Sequence, residues 1–119
     1  MAVSPPFIVQ KRTPTKQVES TPLLVYGANN GSFVDGIWVC NTNNKEIFVS
    51  FQTLDERNLE ADTYQLINNQ VLAPYESKEL LKGAIIFMEP GDLMYGYSSF
   101  SGDTFDCHVS YRDLTEVVV

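Results

Sequence analysis

The chain has few of the residues on which catalytic and metal centres depend: one histidine and two cysteines in 119 residues. A structural zinc site needs about four Cys, His or carboxylate ligands at suitable spacing, so this count argues against zinc. The phosphate-binding patterns Gly-x-x-x-x-Gly-Lys and Gly-x-Gly-x-x-Gly are both absent. The sequence therefore predicts no metal and no cofactor.

Basic residues and long apolar runs are also scarce. The 8 Lys and Arg residues face 15 Asp and Glu residues, which gives a net charge of −7, whereas nucleic-acid binding needs clustered positive charge. No run approaches the ~18 apolar residues of a membrane helix. No basic region followed by an apolar segment marks a secretory signal. We expect a protein made in the cytoplasm that binds neither nucleic acid nor membrane.

The two cysteines, Cys40 and Cys107, each lie within an apolar run. One disulfide is arithmetically feasible, but free cysteine behaves as a small buried hydrophobic residue in such surroundings. We therefore expect two buried thiols, ahead of a bridge.

The strongest structural signal is strict alternation of apolar and polar residues over residues 104–112, which is typical of a half-buried strand. About eight such runs are separated by turn residues: 22–27, 32–40, 46–54, 64–73, 76–81, 84–88, 93–98 and 104–112. In Glu89-Pro90-Gly91-Asp92, proline and glycine occupy the positions that a type II turn requires. The pattern predicts an all-β fold, a single antiparallel, jelly-roll-like β-sandwich over residues 22–114, followed by a tail at 115–119.

Residues 1–21 differ from the rest of the chain. They contain three basic side chains and one acidic side chain, a charge of +2, which leaves −9 for residues 22–119. Their prolines favour an extended arm over a helix. We expect this arm to contact a neighbouring subunit, and the terminal valines to pair with a sheet edge. These candidate interaction residues are Phe7, Ile8, Val9, Lys11, Arg12, Lys16, Val117, Val118 and Val119.

No catalytic constellation can be assembled from the sequence. His108 falls on the polar side of the last strand beside Asp106 and Ser110, and residues two apart on one strand do not form a nucleophile, base and orienting acid. The charged loop at residues 55–62 lacks the glycine and the spaced carboxylates of an EF-hand. We predict that the protein is not an enzyme.

Two aromatic residues stand apart from the expected core. Phe48 lies on the opposite side of its strand from Ile47 and Val49, and Trp38 belongs to the preceding strand. Together they predict an apolar patch outside the core, which would mark a protein interface. The alternative is that the arm or the charged loop covers them.

Several motifs together resemble small β-sandwich structural proteins of tailed bacteriophage virions. They are the hairpin entry at residues 38–43 (WVCNTN), the strand at 76–81 (ESKELL), residues 83–87, the turn at 89–92 (EPGD) and the closing pair of strands. The resemblance covers residues 23–114. The chain departs from that pattern in its aromatic content and its long basic arm, and both departures favour burial against neighbouring subunits.

The resemblance implies a building block of the virion, made in the host cytoplasm. The first expectation is a capsid decoration (cement) protein, a homo-oligomer bound to other virion proteins such as the major capsid or tail and neck subunits. Accessory subunits of the neck, tail or fibre attachment are the alternative. A different class, a sugar- or receptor-binding sandwich, would use exposed aromatics such as Tyr95, Tyr97 and Phe100.

Overall fold

The structure is a computed structural model that describes the backbone of residues 7–55 and 63–118 and the side chains of residues 10–55 and 63–113. The regular elements in these residues are all strands. They are β1 (Phe7–Arg12), β2 (Lys16–Val18), β3 (Leu23–Gly27), β4 (Ser32–Asn41), β5 (Ile47–Asp55), β6 (Thr63–Leu72), β7 (Ser77–Glu79), β8 (Ile86–Met88), β9 (Asp92–Ser98) and β10 (Phe105–Val118).

The strands form two antiparallel sheets that pack face to face. In sheet A, β10 and β4 are central, β1 and β2 lie along the outer side of β10, and β7 and β8 lie along the outer side of β4. Sheet B has the order β3, β9, β5, β6. The predicted all-β antiparallel sandwich is confirmed.

The connectivity is that of a jelly roll. If β1 is set aside and β7 and β8 are taken as one interrupted strand, eight strand positions remain. β2 pairs with β10, β3 with β9, β4 with β7 and β8, and β5 with β6, so the pairs are nested along the chain. A long hairpin rolled into two sheets has this order. The number of strands is ten rather than about eight because residues 1–21, expected to form an arm, contribute two strands, β1 and β2.

The core lies between the sheets and follows from the alternation along each strand. In β10, Phe105, Cys107 and Val109 are buried, whereas Asp106 and His108 lie half-buried on the other face, as predicted. The largest fully buried side chains are Phe51, Phe105, Ile37, Ile47, Leu72, Met88 and Met94.

A β-bulge interrupts the pairing of β4 with β10. Ser110 lies opposite Gly36 and Tyr111 lies opposite Val34, so Asp35 is the extra residue. Before the bulge the even-numbered residues of β4 face the core, and from Ile37 onwards the odd-numbered residues do. Both Val34 and Ile37 therefore lie in the core.

The described part of residues 1–21 is the edge of sheet A rather than a separate arm. Between β1 and β2, the Thr13 N–H donates to the carbonyl of Val109 (2.9 Å), and the Val109 N–H donates to Thr13 Oγ1 (2.9 Å). Val18 pairs with Phe105 and is fully buried. The boundary expected at residue 21 therefore falls inside the sandwich, because β10 offers an open edge that the N-terminal residues cover.

The C-terminal residues also continue the sheet. β10 runs to Val118 instead of ending at residue 114, and Val117 and Val118 lie opposite Ile8 and Phe7 of the same chain. The valines were expected to pair with an existing sheet edge, and the edge that they use within the chain is β1. Val119 and residues 56–62 of the charged loop lie outside the described residues.

Candidate functional site

The only histidine lies on the outer face of sheet A, next to the only tryptophan. Trp38 in β4 is directly opposite His108 in β10, and the two rings stack with centroids 6.3 Å apart and planes inclined by 17°. The Ser110 hydroxyl instead accepts a hydrogen bond from Gln10 of β1 (Nε2 to Oγ, 2.9 Å). His108 therefore does not join Ser110 and Asp106 in a catalytic arrangement.

The two cysteines have different environments. Both are free, and Cys107 is buried as expected, but Cys40 is half-buried and lines the outer face of sheet A with His108. The expectation of two buried thiols is therefore wrong for Cys40. The bulge at Asp35 reverses the inward and outward alternation along the rest of β4, so Cys40 faces outward. Among residues 10–55 and 63–113, no group of three His, Cys, Asp or Glu residues could hold a metal ion.

Trp38 and Phe48 do not form one patch. Trp38 belongs to sheet A and Phe48 to sheet B, so their side chains lie on opposite outer faces of the sandwich. Phe48 instead lies opposite Val71 and meets Phe100 edge-on, with ring centroids 6.5 Å apart. These three residues form an apolar surface that we name patch B, in which Phe100 is 62% exposed.

A second apolar surface was not expected from the sequence. Phe33 of β4 and Phe87 of β8 lie opposite each other with ring centroids 5.4 Å apart, and Ile85 borders the same cavity as Phe33. Ile85 is 63% exposed and Phe87 49% exposed. We name these three residues patch A. The run 84–88 contains no polar residue, so alternation could not reveal an outward face.

The predicted basic contacts of the N-terminal residues are only partly available. Lys16 Nζ donates to the carbonyl of Leu24 (3.1 Å), which holds that cation within the chain. Arg12 is exposed and lies opposite Ser110 at the edge of sheet A, and Lys11 is half-buried opposite Tyr111. The side chains of residues 7–9 lie outside those described.

The Asn-Thr-Asn motif holds one end of the sandwich together. Asn41 is fully buried, and its Nδ2 donates to the carbonyls of Lys45 (2.8 Å), Leu72 (3.2 Å) and Ala73 (2.9 Å). Its Oδ1 accepts from the backbone N–H and the Nδ2 of Asn43 (2.8 and 2.9 Å). One side chain thus satisfies the turns on either side of β5 and β6, which is a structural role.

Glu79, in the motif at residues 76–81 (ESKELL), takes the place of a strand partner along part of β4. Between β7 and β8 the edge of β4 has no strand partner, and Glu79 Oε2 accepts from the N–H of Ile37 (2.8 Å) and of Leu81 (2.9 Å). Its Oε1 accepts from the N–H of Lys82. A carboxylate satisfies backbone donors that would otherwise lack a partner.

The Pro-Gly-Asp motif forms the predicted turn. Gly91 has a φ of +94°, and the N–H of Asp92 donates to the carbonyl of Glu89 (3.0 Å). Asp92 Oδ2 accepts in return from the Glu89 N–H (2.9 Å). The arrangement is that of a type II turn, so this motif is also structural.

Two buried groups hold their protons more tightly than usual. Burial raises the pKa of the Cys107 thiol to about 12. Burial likewise raises the pKa of Tyr26 to about 12, although its hydroxyl donates to Ser32 Oγ (2.7 Å). Neither group is an acid or a nucleophile at neutral pH.

Comparisons with known proteins find a distant likeness in structure only. No family model and no curated protein matches the chain, and the described part has no helix that could cross a membrane. Two solved structures of pentameric capsid proteins from metagenomic phage sequences are similar to it, with a TM-score of 0.48 and 15% identity in both cases. The matches cover 91% of this chain and 68% and 66% of theirs. At these values the likeness says nothing about function.

Proposed function

We propose that this protein is a non-enzymatic structural component of a tailed-phage virion, a capsid decoration protein that binds other virion proteins and further copies of itself. The observation that carries the proposal is the presence of patch A and patch B on opposite outer faces of one sandwich. Exposed apolar patches mark protein interfaces. Two different patches on opposite sides allow each copy to contact two neighbours, as head-to-tail rings of three or more copies require.

The resemblance of the motifs to virion proteins supports the same function. Each of the three motifs whose contacts are given above stabilises the sandwich and leaves its outer faces available. The proposal agrees with the names of the two similar capsid proteins but does not depend on them.

The outer edge of β1 is a second candidate contact. Within the described residues β1 has β10 as its only strand partner, so its other edge can accept a strand from a neighbour. The N-terminal residues thus retain a role in assembly, through an edge that is built into the sheet.

Light scattering coupled to size-exclusion chromatography tests the role of the patches. We expect a defined oligomer that Phe87→Ser or Phe100→Ser dissociates, with little change in thermal stability because both side chains are substantially exposed. Removal of residues 1–12 tests the edge of β1 and keeps Val18, whereas the deletion of residues 1–20 would remove a core residue. A monomer for the unaltered chain, or oligomers unchanged in both patch variants, would contradict the patch interfaces.

The position in the particle needs a separate experiment. Mass spectrometry of purified virions should detect the chain, and antibody labelling in electron micrographs should place it on the head. Labelling at the neck, tail or fibres would favour an accessory subunit there. Absence from virions would refute the virion role.

The sugar-binding alternative has weaker support in the structure. Tyr95 and Tyr97 are half-buried, and the Tyr97 hydroxyl donates to Gln65 Oε1 (3.3 Å). Phe100 belongs to patch B. Glycan-array binding that is lost in Tyr97→Ala would favour this alternative over assembly.

A further inference from the structure

The outer face of sheet A contains a shallow cavity of roughly 270 Å³ that the function proposed above does not use. Trp38, Asp106 and His108 line it, and hydroxyl groups border it. Its further lining residues are Thr15, Val39, Cys40, Ser77 and Cys107. An aromatic ring beside a few polar groups is the usual composition of a binding site.

The indole of Trp38 is held in place but remains accessible. A Cβ on Gly36 would meet the indole Nε1 at 3.0 Å, so the absence of a side chain there lets the ring lie close to its own strand. His108 stacks against the ring from the neighbouring strand. Trp38 nevertheless remains 46% exposed, which is unusual for the largest side chain at the centre of a sheet.

Asp106 supplies a negative charge next to this ring. It lies opposite Cys40 in the register of β4 and β10, two residues from the pair of Trp38 and His108. Diagonal neighbours of this kind have Cα atoms about 7–8 Å apart. The carboxylate of Asp106 forms no hydrogen bond or ion pair with the residues whose side chains are described, and no Lys or Arg lines the cavity.

We propose that this cavity binds the guanidinium or ammonium group of a basic side chain that a partner protein presents. Tryptophan is the best aromatic acceptor of a cation, and the unpaired carboxylate adds a directed charge. The net charge of −7 favours a cationic partner over an anionic one. This inference stands independently of the virion role, since it concerns the chemistry of one cavity.

Tryptophan fluorescence tests the proposal directly, because Trp38 is the only tryptophan of the chain. The full chain is titrated with N-acetyl-arginine amide, with the neutral isostere N-acetyl-citrulline amide and with methyl β-glucopyranoside. We expect saturable quenching by the arginine probe at roughly millimolar concentration, as befits one small contact. Citrulline should bind at least about tenfold more weakly, and added salt should weaken the arginine probe.

Three variants assign the binding to the cavity. Asp106→Asn removes the charge and keeps the shape, so it should weaken arginine about tenfold and leave citrulline unchanged. Glu46→Gln makes the same change of net charge at an exposed position outside the cavity lining, and should have no effect. Gly36→Ala should displace the indole and lower the affinity, with circular dichroism to verify the fold.

The proposal is overturned by equal binding of arginine and citrulline, by an Asp106→Asn variant that binds as the unaltered chain does, or by no saturable binding of the arginine probe. Preferential binding of the glucoside would also overturn it, and would assign the cavity to a sugar. Since all of these readouts come from the isolated chain, their failure is distinct from a failure to find the protein in virions.

Discussion

Asn41 should be among the most sensitive polar positions of the fold. Its side-chain amide is fully buried and accounts for five contacts with other polar groups. Only one orientation of the amide fits, with the nitrogen towards three carbonyls and the oxygen towards two N–H donors. Replacement by alanine therefore leaves several groups without their partner at the end of the sandwich.

The expected loss follows from the hydrogen bonds. An amide nitrogen has two hydrogens, so its three acceptors share two full bonds, and the oxygen accepts two more. At about 1 kcal/mol net per bond, offset in part because the exposed Lys45 turn can hydrate its carbonyl, Asn41→Ala should lower the free energy of unfolding by about 3 kcal/mol. Asn41→Asp should cost at least as much, because a carboxylate would face three carbonyl oxygens.

The pH dependence of Asn41→Asp makes the test specific. Protonation restores a donor, so the native state of this variant binds the proton more tightly than the unfolded state. Its stability should rise relative to the unaltered chain as the pH falls towards 4. Asn44→Asp, at an exposed position of the same turn, has the same charge and should change stability by less than about 0.5 kcal/mol.

Urea unfolding followed by circular dichroism, at one fixed protein concentration, measures these differences. A loss below about 1 kcal/mol for Asn41→Ala would refute the role assigned to this side chain. So would equal pH dependence of the two aspartate variants.

Four further outcomes are expected. Glu79→Gln should lower the free energy of unfolding in urea by about 2 kcal/mol, because the amide directs N–H donors at backbone N–H groups; an unchanged midpoint would contradict this. In the native protein only Cys40 should react with Ellman's reagent, and a second thiol should become reactive on unfolding. Because the pKa values of Cys107 and Tyr26 are raised from 9.0 and 10.0 to about 12, thermal stability should be full below pH 9 and should fall as the pH rises towards 12. A flat pH profile would contradict the burial argument. Tyr75→Gly should raise stability by roughly 0.5–1 kcal/mol by relieving a φ of +57°, and a lower melting temperature would count against strain at this residue.

Local patterns were sufficient to predict the fold class. Alternation over residues 104–112 predicted which side chains of β10 are buried, and the turn around Gly91 followed from the residue types alone. These features depend on contacts between residues close in sequence, where the period of two and the φ preferences of proline and glycine act directly. The all-β class and the approximate number of strands followed in the same way.

The long-range features were not accessible to such patterns. The sequence predicted an arm over residues 1–21 and one patch formed by Trp38 and Phe48, but β2 completes the core and the two aromatics lie on opposite faces. Patch A was also unforeseen.

The sequence by itself determined the strands, their turns and the inward faces of most of them, because each is a property of a few consecutive residues. The tertiary structure alone decided which edges pair, which outer faces carry the patches and how Asp106 comes to lie beside Trp38. The last of these outcomes depends on the register between β4 and β10, whose paired residues are far apart in the chain. A shift of one residue in that register would move the core-facing side chains of the shifted strand to the outer face, and the alternation of residues along the strand does not specify the register.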